Sequence, residues 1–234
     1  MIATVNKFYL LLIIIASTVS ACRNEKNSQE VNYPVEEETV IDTQFRLAMC
    51  YAKGDGVTAN YHYAAEMLKQ AAEQGHIKAQ LELGVCYQKG IGVKQNHREA
   101  VKWYRKAANQ GNAMAQYNLG NCYANGLGIG RNYTEASKWY ILSAKQGLAL
   151  AQFNLGTLYC QGRGVTINYE EGANWLIKAS EQGLAEAQYN LAICYANGNG
   201  VPQSDYDAIK WLKKAARQGF EQAKQALTDI GESW

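Results

Sequence analysis

Three histidines, six cysteines and five Gly-x-Gly pairs are the residues of this chain whose types and spacing invite a chemical reading. A metal site or a general base would require His62, His76 and His97 to converge with carboxylates or thiols, but they share no ligand spacing and no His-Glu-x-x-His run exists. The pairs Gly54/Gly56, Gly90/Gly92, Gly126/Gly128, Gly162/Gly164 and Gly198/Gly200 each precede a helical pattern, as phosphate loops do. None follows a strand pattern, so they read as punctuation. An activated serine would need Ser-x-x-Lys with a downstream Lys-Thr-Gly, and Ser137-Lys138 and Ser204-Asp205-Tyr206 miss that spacing. No Ser/His/Asp set emerges either. The reading is therefore of no catalytic residue, no cofactor and no metal. With a net charge of +2 and no Lys/Arg run longer than two, the chain also lacks the clustered basic footprint of a nucleic-acid binder.

The elements that position these residues follow from a period. Blocks of 36 residues beginning at Thr43, Ala79, Ala115, Ala151 and Ala187 align without a gap. They put Leu47, Leu83, Leu119, Leu155 and Leu191 in one column and Tyr51, Tyr87, Tyr123, Tyr159 and Tyr195 in another. Trp103, Trp139, Trp175 and Trp211 form a third, with Met67 in the first block, and every block closes on Gln-Gly. Alanine, leucine, cysteine and tyrosine recur at helical spacing in the first half of each block, up to a glycine that accepts the left-handed backbone. A second helix is predicted to start at Asn96, Asn132, Asn168 and Ser204. An acid three residues later (Glu99, Glu135, Glu171, Asp207) completes a capping box in which it reaches back to the first backbone amide. Small residues on both helices (Gly84, Gly120 and Gly156; Ala100, Ala136 and Gly172) let the axes approach. One such hairpin cannot bury its stripes alone, so neighbours must stack. The expected fold is all-α, a right-handed superhelical solenoid of five helix-turn-helix units at 43–78, 79–114, 115–150, 151–186 and 187–222, with a C-terminal capping helix and tail at 223–234.

The run Ala115-Gln116-Tyr117-Asn118-Leu119-Gly120, with Tyr123, Gly126, Gly128, Ala136, Trp139-Tyr140, Ala144 and Gln146-Gly147, resembles the Sel-like repeat, a relative of the tetratricopeptide repeat. The likeness runs from residue 43 to about 230. It implies a scaffold or adaptor for protein complexes that binds on the concave face lined by first helices. Some cysteine-rich relatives are described as penicillin-binding or β-lactamase-like, so the resemblance also raises a cell-wall-active enzyme as the alternative. Such relatives carry disulfides between paired helices. Here Cys50, Cys86, Cys122 and Cys194 share one column instead. Equivalent positions on successive repeats stand about 8–10 Å apart, whereas a disulfide needs Cα atoms within about 7 Å. They read as small core hydrophobes, and Cys160, in another column, as the odd thiol.

The N-terminus sets the expected compartment. Lys7, an apolar run from Phe8 to Ala16 and a small polar stretch read as a signal peptide over 1–21, the apolar run being too short for the roughly 20 residues a span needs. Val19-Ser20-Ala21-Cys22 resembles the bacterial lipobox, which implies a lipid on Cys22 and cleavage before it. Each buried acyl methylene adds about 0.8 kcal/mol of membrane affinity. Residues 22–42, polar and without helical period, read as the lipidated cysteine and a flexible tether. The expected location is the bacterial envelope, at the outer membrane facing the periplasm, since Arg23 rather than aspartate follows the cysteine. The expected partners are that membrane and a protein or peptide of the envelope.

Groove-lining candidates are Phe45, Arg46, Tyr117, Asn118, Asn121, Phe153, Asn154, Tyr189 and Asn190. The aromatics supply contact area. The asparagine amides either grip an extended backbone, each offering donor and acceptor, or satisfy the loops of the next repeat. On the opposite face, Ile141, Leu142 and Ile177 replace the cations of the other repeats. They either pack into the core or form a second contact surface.

Overall fold

The computed structural model describes residues 39–234, which contain eleven α-helices and no strand. The segment expected as a signal peptide, Cys22 and most of the segment expected as a tether lie outside the described residues. The chain divides into two compact units. Unit one, 39–110, holds α1 (Val40–Lys53), α2 (Tyr61–Glu73), α3 (Ile77–Lys89) and α4 (His97–Asn109). Unit two, 111–234, holds α5 (Ala113–Asn125), α6 (Tyr133–Lys145), α7 (Ala149–Gln161), α8 (Tyr169–Glu181), α9 (Ala185–Asn197), α10 (Asp205–Arg217) and α11 (Glu221–Asp229). Inside each unit every helix packs against the next in the chain.

Odd-numbered helices from α1 to α9 end at Gly54, Gly90, Gly126, Gly162 and Gly198, all left-handed, with φ between 65 and 74°. Helices α3, α5, α7 and α9 begin two residues before the block starts read from the sequence. Val40 already opens α1, inside the stretch expected as tether up to residue 42. Thr39 accepts from the Asp42 amide and Asp42 accepts from the Thr39 amide, a complete capping box.

The boxes expected at the second helices form only by half. Asn96, Asn132, Asn168 and Ser204 do accept from the amide three residues on. Their own backbone amides, however, donate to the carbonyls of Tyr87, Tyr123, Tyr159 and Tyr195 at 2.8–3.1 Å. That leaves no amide for the acid to reach. Glu99 and Glu135 pair instead with Lys102 and Lys138 one turn on, and Asp207 accepts from the Ser204 hydroxyl rather than its amide, at 2.8 Å.

Leu83, Leu119, Leu155 and Leu191 are fully buried between helices. Close approach is matched in four of the five repeats, the fourth pairing Gly156 with Leu176: a methyl on Gly84 or Gly120 would lie 2.5–2.6 Å from the ring of Tyr104 or Tyr140. Where the small residue is alanine (Ala48, Ala192), the facing column holds Leu68 and Leu212. The second glycine of three pairs seats its turn on the preceding repeat. At Gly92, Gly164 and Gly200, with φ near +70°, a Cβ would fall 2.0–2.4 Å from the carbonyl oxygen of Tyr61, Tyr133 or Tyr169.

A glutamine ladder crosses the repeats. Gln110 donates to Gln80, Gln146 to Gln116, Gln182 to Gln152 and Gln218 to Gln188, each at 2.7–2.8 Å. The acceptors are buried, and Gln80, Gln152 and Gln188 also donate to carbonyls of the preceding helix. A buried amide bonded on both sides fixes register where apolar packing alone would permit sliding.

Candidate functional site

The richest convergence of polar and aromatic side chains is a cleft of about 330 Å³ in unit two. Three of the predicted groove residues meet there: Asn121, Phe153 and Asn154. First helices α5 and α7 supply them, and the second helix α6 adds Tyr133 and Tyr140, while Arg163 comes from the turn after α7. Tyr140 donates to Asn121 Oδ1 at 2.6 Å, and Asn154 donates to the same oxygen at 3.2 Å. Asn154 thus ties its repeat to the helix of the one before, rather than to a loop of the next, while lining the cleft. The Asn154 side chain also interacts with the Tyr140 phenol. Arg163 lies over the Tyr133 ring, 5.6 Å from its centroid, and no carboxylate lines the cleft. Burial pushes the Tyr140 phenol up, so it stays a neutral donor.

The remaining groove candidates are dispersed. Phe45 and Arg46 line a separate cleft in unit one with Asp42, His76 and Lys78. There Phe45 stacks on His76 at 4.6 Å. The His76 ring caps α3 through Nδ1, which accepts the Ala79 amide, and its Nε2 faces Asp42 at 3.2 Å. Tyr117 packs near Tyr140, Tyr189 packs on Phe220 at 5.3 Å, and Asn118 and Asn190 are half-buried outside the cleft. Tyr133, Tyr140, Thr157 and Arg163 are site residues that the repeat pattern does not single out. Their signal is faint, because they belong to second helices, to the far end of α7 and to a turn.

On the opposite face, Ile141 and Ile177 are half-buried against core clusters, together with Leu148 and Leu184. Leu148 and Leu184 occupy helix N-cap positions and make no cap hydrogen bond there; their side chains pack inward instead. Leu142 stays exposed. Its column holds Lys106, Lys178 and Lys214 in other repeats, each 4.0–4.3 Å from the centre of a tryptophan ring, so the slot suits a hydrocarbon stem.

A larger cleft of about 840 Å³ surrounds the turn between α3 and α4 and includes His62 and Glu99. His62 there bonds the Gly92 carbonyl at 3.2 Å, alongside Glu66 at 3.6 Å. Among the described residues no group of three or more His, Cys, Asp or Glu is placed to hold a metal ion, and no helix is long and apolar enough to cross a membrane.

Repeated helix hairpins with amide-lined clefts and exposed aromatic edges define a class of interaction scaffolds. The match is specific: the Sel1 repeat recurs at 41–76, 77–112, 113–148, 149–184 and 185–220, and the chain belongs to the Sel1 repeat family. Sel1 repeat proteins generally mediate protein–protein interaction, and the fold is typically a non-catalytic scaffold. A Sel1 repeat protein from Oxalobacter formigenes is 38% identical, with a TM-score of 0.77 over 84% of this chain and 78% of that one. A protective antigen present in uropathogenic Escherichia coli strains, which displays an SLR fold, is 36% identical with a TM-score of 0.78. That match covers 81% of this chain but 41% of the antigen. An immunity protein from Pseudomonas aeruginosa is 25% identical, with a TM-score of 0.50 over 82% of this chain and 70% of that one. No curated protein matches.

Proposed function

We propose that this protein is a non-catalytic adaptor, held at the bacterial envelope by a lipid on Cys22, that captures an extended segment of a protein or peptide through its first-helix face. The observation that carries the reading is the unit-two cleft, where Asn121 and Asn154 offer amide groups beside Phe153, Tyr133 and Arg163. Asparagine can pair with a peptide unit through both its donor and its acceptor, and the rings add area at low entropic cost. The lipobox-like Val19-Ser20-Ala21-Cys22 supports the anchor, and the outer membrane facing the periplasm is the compartment it favours.

An array of linear peptides probed with the purified protein tests the cleft. Bound peptides should lose at least about tenfold in affinity, or about 1.4 kcal/mol, with Asn154→Ala or Arg163→Ala. The thermal midpoint should stay near that of the parent. Unchanged binding by both variants would remove the cleft from the proposal. Cys22→Ser tests the anchor separately: the acyl mass increment and signal-peptide cleavage should both disappear. A variant that still partitions to membranes with the mass of the parent's mature form would sink it.

A further inference from the structure

The fourth and fifth repeats hold a pair of sulfurs that the scaffold reading does not use. Cys160 on α7 and Cys194 on α9 share one core cluster, Cys194 buried within it and Cys160 half-buried at its edge. Two departures from the repeat template make room for this pair. Cys160 stands where other repeats have Ala52, Gln88, Ala124 and Ala196, and Gly172 stands where they have Ala64, Ala100, Ala136 and Ala208. A methyl on Gly172 would lie 2.4 Å from Cys160 Sγ, so the missing side chain is the space the sulfur fills. The Cys194 and Cys160 side chains interact with each other at that cluster, bringing the sulfurs together diagonally across columns.

We propose that Cys160 and Cys194 form a disulfide modification site, oxidised by thiol–disulfide exchange, that covalently joins the fourth repeat to the fifth. The oxidant is a disulfide, either a small one such as oxidised glutathione or that of a disulfide-donating oxidoreductase. The Cys160 thiolate attacks one of its sulfurs, forming a mixed disulfide and releasing the other half as a thiolate that takes a proton from water. Cys194, after losing its proton to water, attacks Cys160 Sγ. The Cys160–Cys194 bond forms as the second thiolate leaves. Two cysteine thiols are oxidised and one disulfide is reduced to two thiols.

The order of attack follows from the surroundings. The interaction with Cys194 holds Cys160 below the usual thiol range against the opposing effect of burial, while the same interaction, with burial, pushes Cys194 well up. The half-exposed sulfur is thus the more acidic one. At Cys86 and Cys122, by contrast, burial pushes the thiol up to about 11.

Treating the folded full chain with oxidised glutathione, quenching with acid and mapping the alkylated peptides tests the site. The expected product has lost two hydrogens and carries a Cys160–Cys194 link, and its thermal midpoint is about 5–10 °C higher. Cys160→Ala, which installs the residue of three sister repeats, should show neither the link nor the rise. Cys194→Ala should trap Cys160 as a lasting glutathione adduct. A parent protein that does not react, that links other cysteines, or that keeps glutathione on Cys160 without closing onto Cys194 overturns the proposal.

Discussion

Gly164→Ala is expected to destabilise the protein by about 3 kcal/mol or more, read as a fall in the urea midpoint of the helical signal. Two costs add. A side chain at φ +70° costs about 1–2 kcal/mol. The new methyl would also lie 2.2 Å from the Tyr133 carbonyl carbon and 2.5 Å from the Thr134 amide nitrogen, backbone atoms that cannot rotate away. Displacing α6 to relieve that overlap adds about 1–3 kcal/mol. Gly183→Ala separates the two contributions, because Gly183 has φ +91° but a methyl added there would meet nothing within 4 Å. It should lose only the conformational share. Equal losses at the two sites would show that the turn does not rest on the preceding repeat.

The second large effect is a rescue. Gly84→Ala places a methyl 2.5 Å from Cε1 of Tyr104, a ring with no solvent exposure, and should cost about 2–3 kcal/mol by overpacking. Tyr104→Leu alone removes ring volume and the 2.5 Å hydrogen bond to Gln88, and should cost a similar amount through the cavity. Together they recreate the Ala48/Leu68 and Ala192/Leu212 pairings found elsewhere in this chain. The double variant should lie within about 1.5 kcal/mol of the parent, with a coupling energy above about 1 kcal/mol in a double-mutant cycle on urea midpoints. Additive losses would mean that the columns are not interlocked.

The repeat is legible in the sequence because its signals are local: apolar spacing, a glycine stop and an N-cap asparagine each act within a few residues. The reach-back expected of Glu99, Glu135 and Asp207 fails because the amides they would have bonded are taken by tyrosine carbonyls nine residues earlier in the chain. That competition exists only once the hairpin has closed. The start of α1 is hidden because Thr39-Val40-Ile41-Asp42 adjoins the polar run Glu36-Glu37-Glu38 and lacks the Gln-Gly that precedes the other first helices.

Half-legible describes the site. Phe153 and Asn154 are readable as neighbours on one helix, and Asn121 one repeat earlier, but Arg163 and Tyr133 reach the same cleft from elements whose faces no period predicts. Cys160 and Cys194 escape notice as a pair because column arithmetic compares like with like. Their sulfurs meet diagonally, two columns apart.

The seating of the Gly92, Gly164 and Gly200 turns gives the protein a direction. Each of these turns is received by the second helix of the repeat before it, so the second, fourth and fifth repeats each need a seat from their predecessor. During synthesis the seat emerges from the ribosome first, and each of these three hairpins closes onto a surface already made. Loss of a repeat from the C-terminal end leaves an empty seat, whereas loss from the N-terminal end leaves a turn with nothing beneath it. A lineage that lengthens or shortens such an array therefore faces unequal ends, with growth easier at the end that the ribosome releases last.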